Sequence, residues 1–111
     1  MPSLTTLLLT ANNDPNVTDI VGMNQLTCLH LSDNPIDDYA QFGALTNLEY
    51  LVLNDTNDQI EDLPEVWLTQ LKNLRVLSIR GNDGLRKSDA MVRRLLFEVC
   101  IPNGGGIAVD K

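Results

Sequence analysis

Basic charge is scarce in this chain. Eight Lys and Arg stand against 15 Asp and Glu, which leaves −7 at neutral pH with the one histidine uncharged. Such a balance lacks the clustered cations that nucleic-acid phosphates require, and it disfavours adsorption on anionic membranes. Long hydrophobic runs are missing too. No stretch approaches the ~18 apolar residues of a membrane span, so no membrane insertion is expected. The opening Met1-Pro2-Ser3-Leu4 has neither a basic region nor a secretory hydrophobic block. That points to a cytoplasmic protein, or to a mature or excised fragment. Cysteine is limited to Cys28 and Cys100, far apart and without metal-ligand spacing, so neither a metal site nor a structural disulfide is expected. There is no phosphate loop and no dinucleotide fingerprint, so no cofactor is expected either. At 111 residues the length is that of one domain, 1–111.

What the chain does have is repetition. Four segments recur in register: Leu4-Thr-Thr-Leu7-Leu-Leu9-Thr-Ala-Asn12, Leu26-Thr-Cys-Leu29-His-Leu31-Ser-Asp-Asn34, Leu48-Glu-Tyr-Leu51-Val-Leu53-Asn-Asp-Thr56 and Leu74-Arg-Val-Leu77-Ser-Ile79-Arg-Gly-Asn82. Their starts are 26−4=22, 48−26=22 and 74−48=26 residues apart. A fixed period of this size is the signature of a solenoid.

These segments resemble the strand of leucine-rich repeats, L-x-x-L-x-L-x-x-N, over roughly residues 4 to 100 as set by the repeat register. The 22-residue spacing and Ala44-Leu45-Thr46-Asn47-Leu48 look like the short repeats of phosphatase regulatory subunits and bacterial internalins. The third repeat, with Ile60-Glu-Asp-Leu63-Pro64 and Leu71-Lys-Asn73-Leu74, is closer to the longer extracellular type. The resemblance implies an α/β solenoid with a parallel concave sheet, an irregular or 3₁₀ convex side and a protein-binding role.

The residues themselves support this architecture. Leu7 and Leu9, Leu29 and Leu31, Leu51 and Leu53, and Leu77 and Ile79 alternate with period two, as in strands with one buried face. Stacked in parallel, they form a continuous core. In the family the asparagine at Asn12, Asn34 and Asn82 bonds backbone groups of neighbouring coils. Thr56 stands in its place in the third repeat and predicts a looser turn there, because a hydroxyl has fewer bonding sites than an amide. The other half of each coil carries Ile36, Tyr39, Phe42 and Leu45, then Ile60, Leu63, Leu68 and Leu71, at a three-residue spacing that suits 3₁₀ or short helical turns. Trp67 is expected to be largely buried among them with a polar edge exposed. After Asn82, helical spacing of Met91, Val92, Leu95, Leu96 and Val99 predicts a closing helix over 89–100, with Ser88 as N-cap and Asp89 in the first turn. Pro102 and Gly104-Gly105-Gly106 end it, the glycines reading as a linker or turn. In the tail, 101–111, Ile107-Ala-Val109 reads as a fifth strand beside Leu77-Ser-Ile79, with a loose terminus as the alternative.

Side chains between the leucines face the open side of the sheet in four columns: Thr6, Cys28, Tyr50 and Val76; Leu8, His30, Val52 and Ser78; Thr10, Ser32, Asn54 and Arg80; Ala11, Asp33, Asp55 and Gly81. An apolar centre around Tyr50 with a polar rim has the anatomy of a protein interface. The candidate partner-binding residues are therefore Cys28, His30, Asp33, Tyr50, Val52, Asn54, Asp55, Val76 and Arg80, with Tyr50 as anchor. A protein or peptide is the expected ligand. An alternative is a structural or assembly module, or a fragment of a longer repeat protein. It would associate through an N-terminal edge that shows Leu4, Leu7, Leu9 and Ile20 to water.

Catalysis is not expected. Cys28 and His30 share a strand face, but same-face neighbours sit ~6.5–7 Å apart along a strand, and no oxyanion site accompanies them. The acidic stretches around Asp33–Asp38 and Asn54–Asp58 lack the glycine and terminal glutamate of a calcium loop and read as solvated turns. Two glycosylation sequons, Asn16-Val-Thr18 and Asn54-Asp-Thr56, are short enough to arise by chance.

Overall fold

The computed structural model of the chain describes residues 5–8, 22–33, 36, 39–56, 63–82, 84–85 and 89–109. The readings at Leu4, Leu9, Thr10, Ala11, Asn12, the Asn16-Val-Thr18 sequon, Ile20, Asn34, Ile60 and Ser88 lie outside these residues, as do the outer parts of the acidic stretches.

Five three-residue strands form one sheet in the order β1-β2-β3-β4-β5. They are β1 Thr6–Leu8, β2 Cys28–His30, β3 Tyr50–Val52, β4 Val76–Ser78 and β5 Gly106–Ala108. Every neighbouring pair is parallel. The register runs Leu7, Leu29, Leu51, Leu77 and Ile107 along one row. The inner three leucines of that row are fully buried, while Leu7 and Ile107 at its two ends are only partly so. Identical residues one repeat apart thus fall on each other, which is why a period in sequence becomes a wall in space. The fifth strand lies one residue earlier than the expected 107–109.

The returning half of each coil supplies the opposite wall. A 3₁₀ turn spans Ala40–Ala44, and a single α-helical turn, α1, spans Trp67–Gln70. Ile36, Tyr39, Phe42, Leu45, Leu63, Trp67 and Leu71 are buried against the sheet leucines, and Leu68 is half-buried. Trp67 is buried completely, deeper than its expected partial burial. Its indole N–H donates to the Tyr39 carbonyl at 3.1 Å, so the polar edge that sequence reasoning left for solvent is satisfied inside.

The closing helix is two segments: α2, Ala90–Leu95, and a wider π-helical turn, Leu96–Cys100. Asp89, expected in the first turn, occupies the N-cap position with extended backbone. Met91, Val92, Leu95, Val99 and Cys100 face the core. The glycines that follow form no mere linker. Gly104 adopts φ +88°, and a Cβ at Gly105 would collide with the Arg75 carbonyl. Only a residue without a side chain lets β5 approach β4 here.

The turns out of β2, β3 and β4 share a second requirement. Asp33 (φ 64°), Asp55 (φ 56°) and Gly81 (φ 76°) occupy the same repeat position and all are left-handed. Asp tolerates this conformation better than most residues, and glycine adopts it freely. The next position holds Thr56 and Asn82, both buried. Asn82 donates to the carbonyls of Leu53 (2.9 Å) and Ile79 (2.8 Å), and its Oδ1 accepts the Thr56 amide at 2.9 Å. Thr56 Oγ1 donates to Leu53 O at 2.9 Å and is hydrogen-bonded to the Tyr39 hydroxyl. The looser turn expected at Thr56 is not observed. The Tyr39 hydroxyl, reaching in from the previous coil, joins the node through the side chains of Thr56 and Asn82. Burial pushes the Tyr39 phenol above its ordinary pKa, with the Thr56 hydrogen bond opposing, so the neutral hydroxyl is the form built into this node.

Candidate functional site

Strand register decides which side chains meet on the open face. Cys28, Tyr50 and Val76 lie side by side on β2, β3 and β4, with Thr6 and Gly106 at the two ends of the row. His30, Val52 and Ser78 form the second row, flanked by Leu8 and Ala108. Because β5 completes the sheet, β3 is its middle strand, and Tyr50 and Val52 mark its centre. Leu8, by contrast, stands on an outer strand and is 62% exposed.

Tyr50 is exposed, while Cys28, His30, Val52 and Val76 are each half-buried. The Tyr50 ring is not free to swing. The Arg75 guanidinium lies 5.8 Å from its centroid and donates through Nη1 to the phenol oxygen at 3.2 Å. Arg75 is itself held by a hydrogen bond from Nε to the Asn103 carbonyl at 3.2 Å. A cation over an aromatic face, fixed from behind, holds the ring in place at little entropic cost on binding. Sequence reasoning missed Arg75. It sits one residue before its strand, where the alternation rule would turn it inward with Leu77. A signal was available: the equivalent positions are Thr5, Thr27 and Glu49, all polar, which is inconsistent with a core row.

Arg75, Thr27 and Glu49 also line a polar groove of 580 Å³ along the strand entrances, together with Asn47, Asn73 and Asn103. The three asparagines serve the fold. Asn47 donates to Asn24 O (2.8 Å), Asn73 to Thr46 O (3.2 Å), and Asn103 to Lys72 O (2.8 Å) and Leu74 O (2.9 Å). Each ties one coil to the one before it, a second ladder opposite the Thr56–Asn82 turn.

The rim is more structural than its chemistry suggested. Asn54 Oδ1 accepts from Ser78 Oγ and from the Arg80 amide, each at 2.8 Å. Its side chain therefore bridges β3 and β4, and with Thr56 also bonded inside, the first and third residues of the second sequon are engaged in the fold. Asp33, Asp55 and Arg80 are exposed at the strand exits. The Asp55 carboxylate covers Gly81 so closely that a Cβ there would collide with it. Ser32, expected on the open face, is buried.

Among the described residues no group of His, Cys, Asp and Glu is arranged to hold a metal ion, and no helix is long and apolar enough to cross a membrane. Cys28 and Cys100 are free thiols, the first half-buried on β2 and the second buried in the helix. Burial pushes the Cys100 thiol up to about 11, which leaves almost no thiolate near neutrality. Alkylation of the native protein at pH 7.5, near-neutral conditions where the thiolate is the reactive form, is expected to label Cys28 and to spare Cys100 until the chain is unfolded. Mass spectrometry of the tryptic peptides reads the order. Equal native labelling would show that the helix opens readily around Cys100.

A family model of two leucine-rich repeats matches residues 24–66. That segment contains the second and third repeats, the Ala40–Ala44 turn and the central strands β2 and β3. That segment of the chain is a pair of leucine-rich repeats. The five-stranded parallel sheet extends the same stacking to either side of the matched segment. No curated protein matches the chain. Domains of this family typically serve as non-catalytic scaffolds for protein–protein interaction.

Proposed function

We propose that this leucine-rich repeat protein docks a protein or peptide on the open face of its sheet, with Tyr50 as the anchor and His30, Val52, Val76 and Cys28 around it. The observation that carries the reading is the fixed ring. Tyr50 is exposed at the centre of the sheet and is held by Arg75 through both its face and its hydroxyl. A rigid aromatic amid half-buried apolar residues, with Asp33, Asp55 and Arg80 at the exits, has the layout of an interface hot spot and rim. The net charge of −7 favours a basic partner by long-range steering. Occupation of the cell interior fits the scarcity of cysteine, and belongs to the same proposal.

Truncating an anchor of this kind typically weakens binding by ~2 kcal/mol or more. The test uses the wild-type chain, Tyr50→Ala and, as a control on the returning side of the coil, Thr69→Ala as parallel baits. Proteins captured by the wild type and by Thr69→Ala, but lost by Tyr50→Ala, would carry the reading. Direct titration of one such protein should then show the ~2 kcal/mol loss, about thirtyfold in Kd. Capture that ignores Tyr50→Ala would remove the ring from the interface.

A further inference from the structure

The two ends of the sheet are complementary to each other. Each inner strand directs its first and third residues at the strand before it. Tyr50 N–H donates to Thr27 O at 3.0 Å, and Val52 O accepts from Leu31 N–H at 2.9 Å. Its middle and flanking residues face the strand after it, as when Glu49 O accepts from Val76 N–H (2.9 Å) and Leu53 N–H donates to Ser78 O (2.8 Å). The outer strands keep this pattern. β1 turns Thr5 O toward β2, where it accepts from Cys28 N–H at 3.0 Å, so Thr6 and Leu8 direct their amides and carbonyls away from the sheet. In β5, Gly106 N–H and Ala108 O are spent on Arg75 and Ile79 at 2.9 and 2.8 Å. Gly105 O, the Ile107 amide and carbonyl, and Val109 N–H therefore point away on the opposite side.

We propose that copies of this chain join end to end, with β1 of one pairing in parallel beside β5 of the next. Continued at the repeat register, Thr6 N–H meets Gly105 O and Leu8 N–H meets Ile107 O. In return Ile107 N–H meets Thr6 O and Val109 N–H meets Leu8 O. Every outward group of both edges finds a partner of the opposite kind, and Leu7 continues the row that ends at Ile107. The core has the matching incompleteness. Leu7 and Met23 at one end, and Leu96 and Ile107 at the other, are packed against it but only partly buried. Beside β5 a mainly apolar groove of 320 Å³ runs between the strand and the helix, lined by Val92, Leu96, Phe97, Ile107 and Val109 with Arg93 at its edge. Phe97 on its rim is 59% exposed. An open strand edge beside exposed core residues is a template for pairing. A parallel edge with leucines at period two is the shape it fits, and a second copy of this chain carries one. The contact is head-to-tail, so it leaves a free β1 and a free β5 at the outer ends and grows beyond the dimer. These ends are separate from the open-face site around Tyr50, so either reading can fail without the other.

Sedimentation of the full chain across a range of concentrations, at about 0.15 M salt to screen the like charges, is expected to show species larger than a dimer. Leu8→Pro removes an outward amide while leaving the bonds to β2, and Thr6→Pro does the same if the first variant fails to fold. Phe97→Lys removes the exposed ring, adds a second cation beside Arg93 and spoils the other end. Each variant alone is expected to stay monomeric with an unchanged far-UV spectrum. Mixed in equal amounts, they should form a one-to-one dimer and nothing larger, because each contributes one intact end. A wild type that remains monomeric throughout would overturn the proposal. So would two folded variants that still assemble alone, or a mixture that does not associate.

Discussion

Replacing Asn82 by alanine is expected to lower the stability of the fold by about 3–5 kcal/mol, among the largest effects of any single substitution here. The side chain is fully buried. Its amide satisfies the Leu53 and Ile79 carbonyls, and its oxygen satisfies the Thr56 N–H. Removing it strands the Ile79 carbonyl and the Thr56 N–H, each costing about 1–3 kcal/mol when left buried and unpaired, less whatever water can recover, and leaves the Leu53 carbonyl to the Thr56 hydroxyl alone. Urea denaturation followed by circular dichroism measures the loss. Asn82→Asp separates donors from acceptors, since the carboxylate keeps the bond to Thr56 N–H but faces the Leu53 and Ile79 carbonyls with no proton to give. It should be about as damaging as alanine. A loss under about 1 kcal/mol for Asn82→Ala would mean that the turn relaxes or takes in water readily.

Trp67→Ala is the second large effect, at about 3–5 kcal/mol. The indole is completely buried and stacks on Tyr39 with ring centroids 6.1 Å apart and planes 4° from parallel. Its deletion opens a cavity between the returning wall and the sheet leucines, and it releases the Tyr39 carbonyl from its indole donor. Trp67→Phe keeps part of the volume and the stack, so it should lose about 1–3 kcal/mol, chiefly the hydrogen bond and the unfilled space. Equal losses for the two variants would indicate that the hydrogen bond, not the volume, dominates. Trp67 and Asn82 also share a neighbour. Tyr39 stacks on the first, and its hydroxyl donates toward Asn82 Oδ1 at 3.2 Å. The double variant is therefore expected to lose less than the sum of the single losses, because residues joined through one network do not act independently.

Both effects lie where sequence reasoning was least complete. The leucine rows, the parallel register and the columns of the open face follow from a 22-residue spacing and a period of two, because both are geometric repeats that survive from sequence into space. Tyr50, Val52 and His30 could be placed on that face without coordinates. Arg75 was not placed there, because its outward direction depends on where the three-residue strand begins; a period of two does not set that boundary, and only the polar column Thr5, Thr27 and Glu49 argued against an inward side chain. Asn54 and the pair Asp33 and Asp55 read alike as a polar rim. Their difference came from dihedral angles and neighbours: Asn54 bridges two strands, while the aspartates occupy left-handed turn positions.

The Thr56 turn shows the same division. By itself the sequence determined that something must satisfy the backbone there, since the repeat brings a buried turn to that position and buried polar groups require partners. It also marked the departure from asparagine. The tertiary structure alone decided the solution: the Thr56 hydroxyl and the Asn82 side chain from the next coil bond the backbone, and the Tyr39 hydroxyl joins the node through their side chains, because a hydrogen bond between coils depends on reach and direction, neither of which composition or spacing carries. The ends of the solenoid follow suit. The repeat made each edge a strand, and only the fold showed that Gly105 lets β5 approach Arg75, so that the sheet ends in a strand whose outward groups mirror those of the one that begins it.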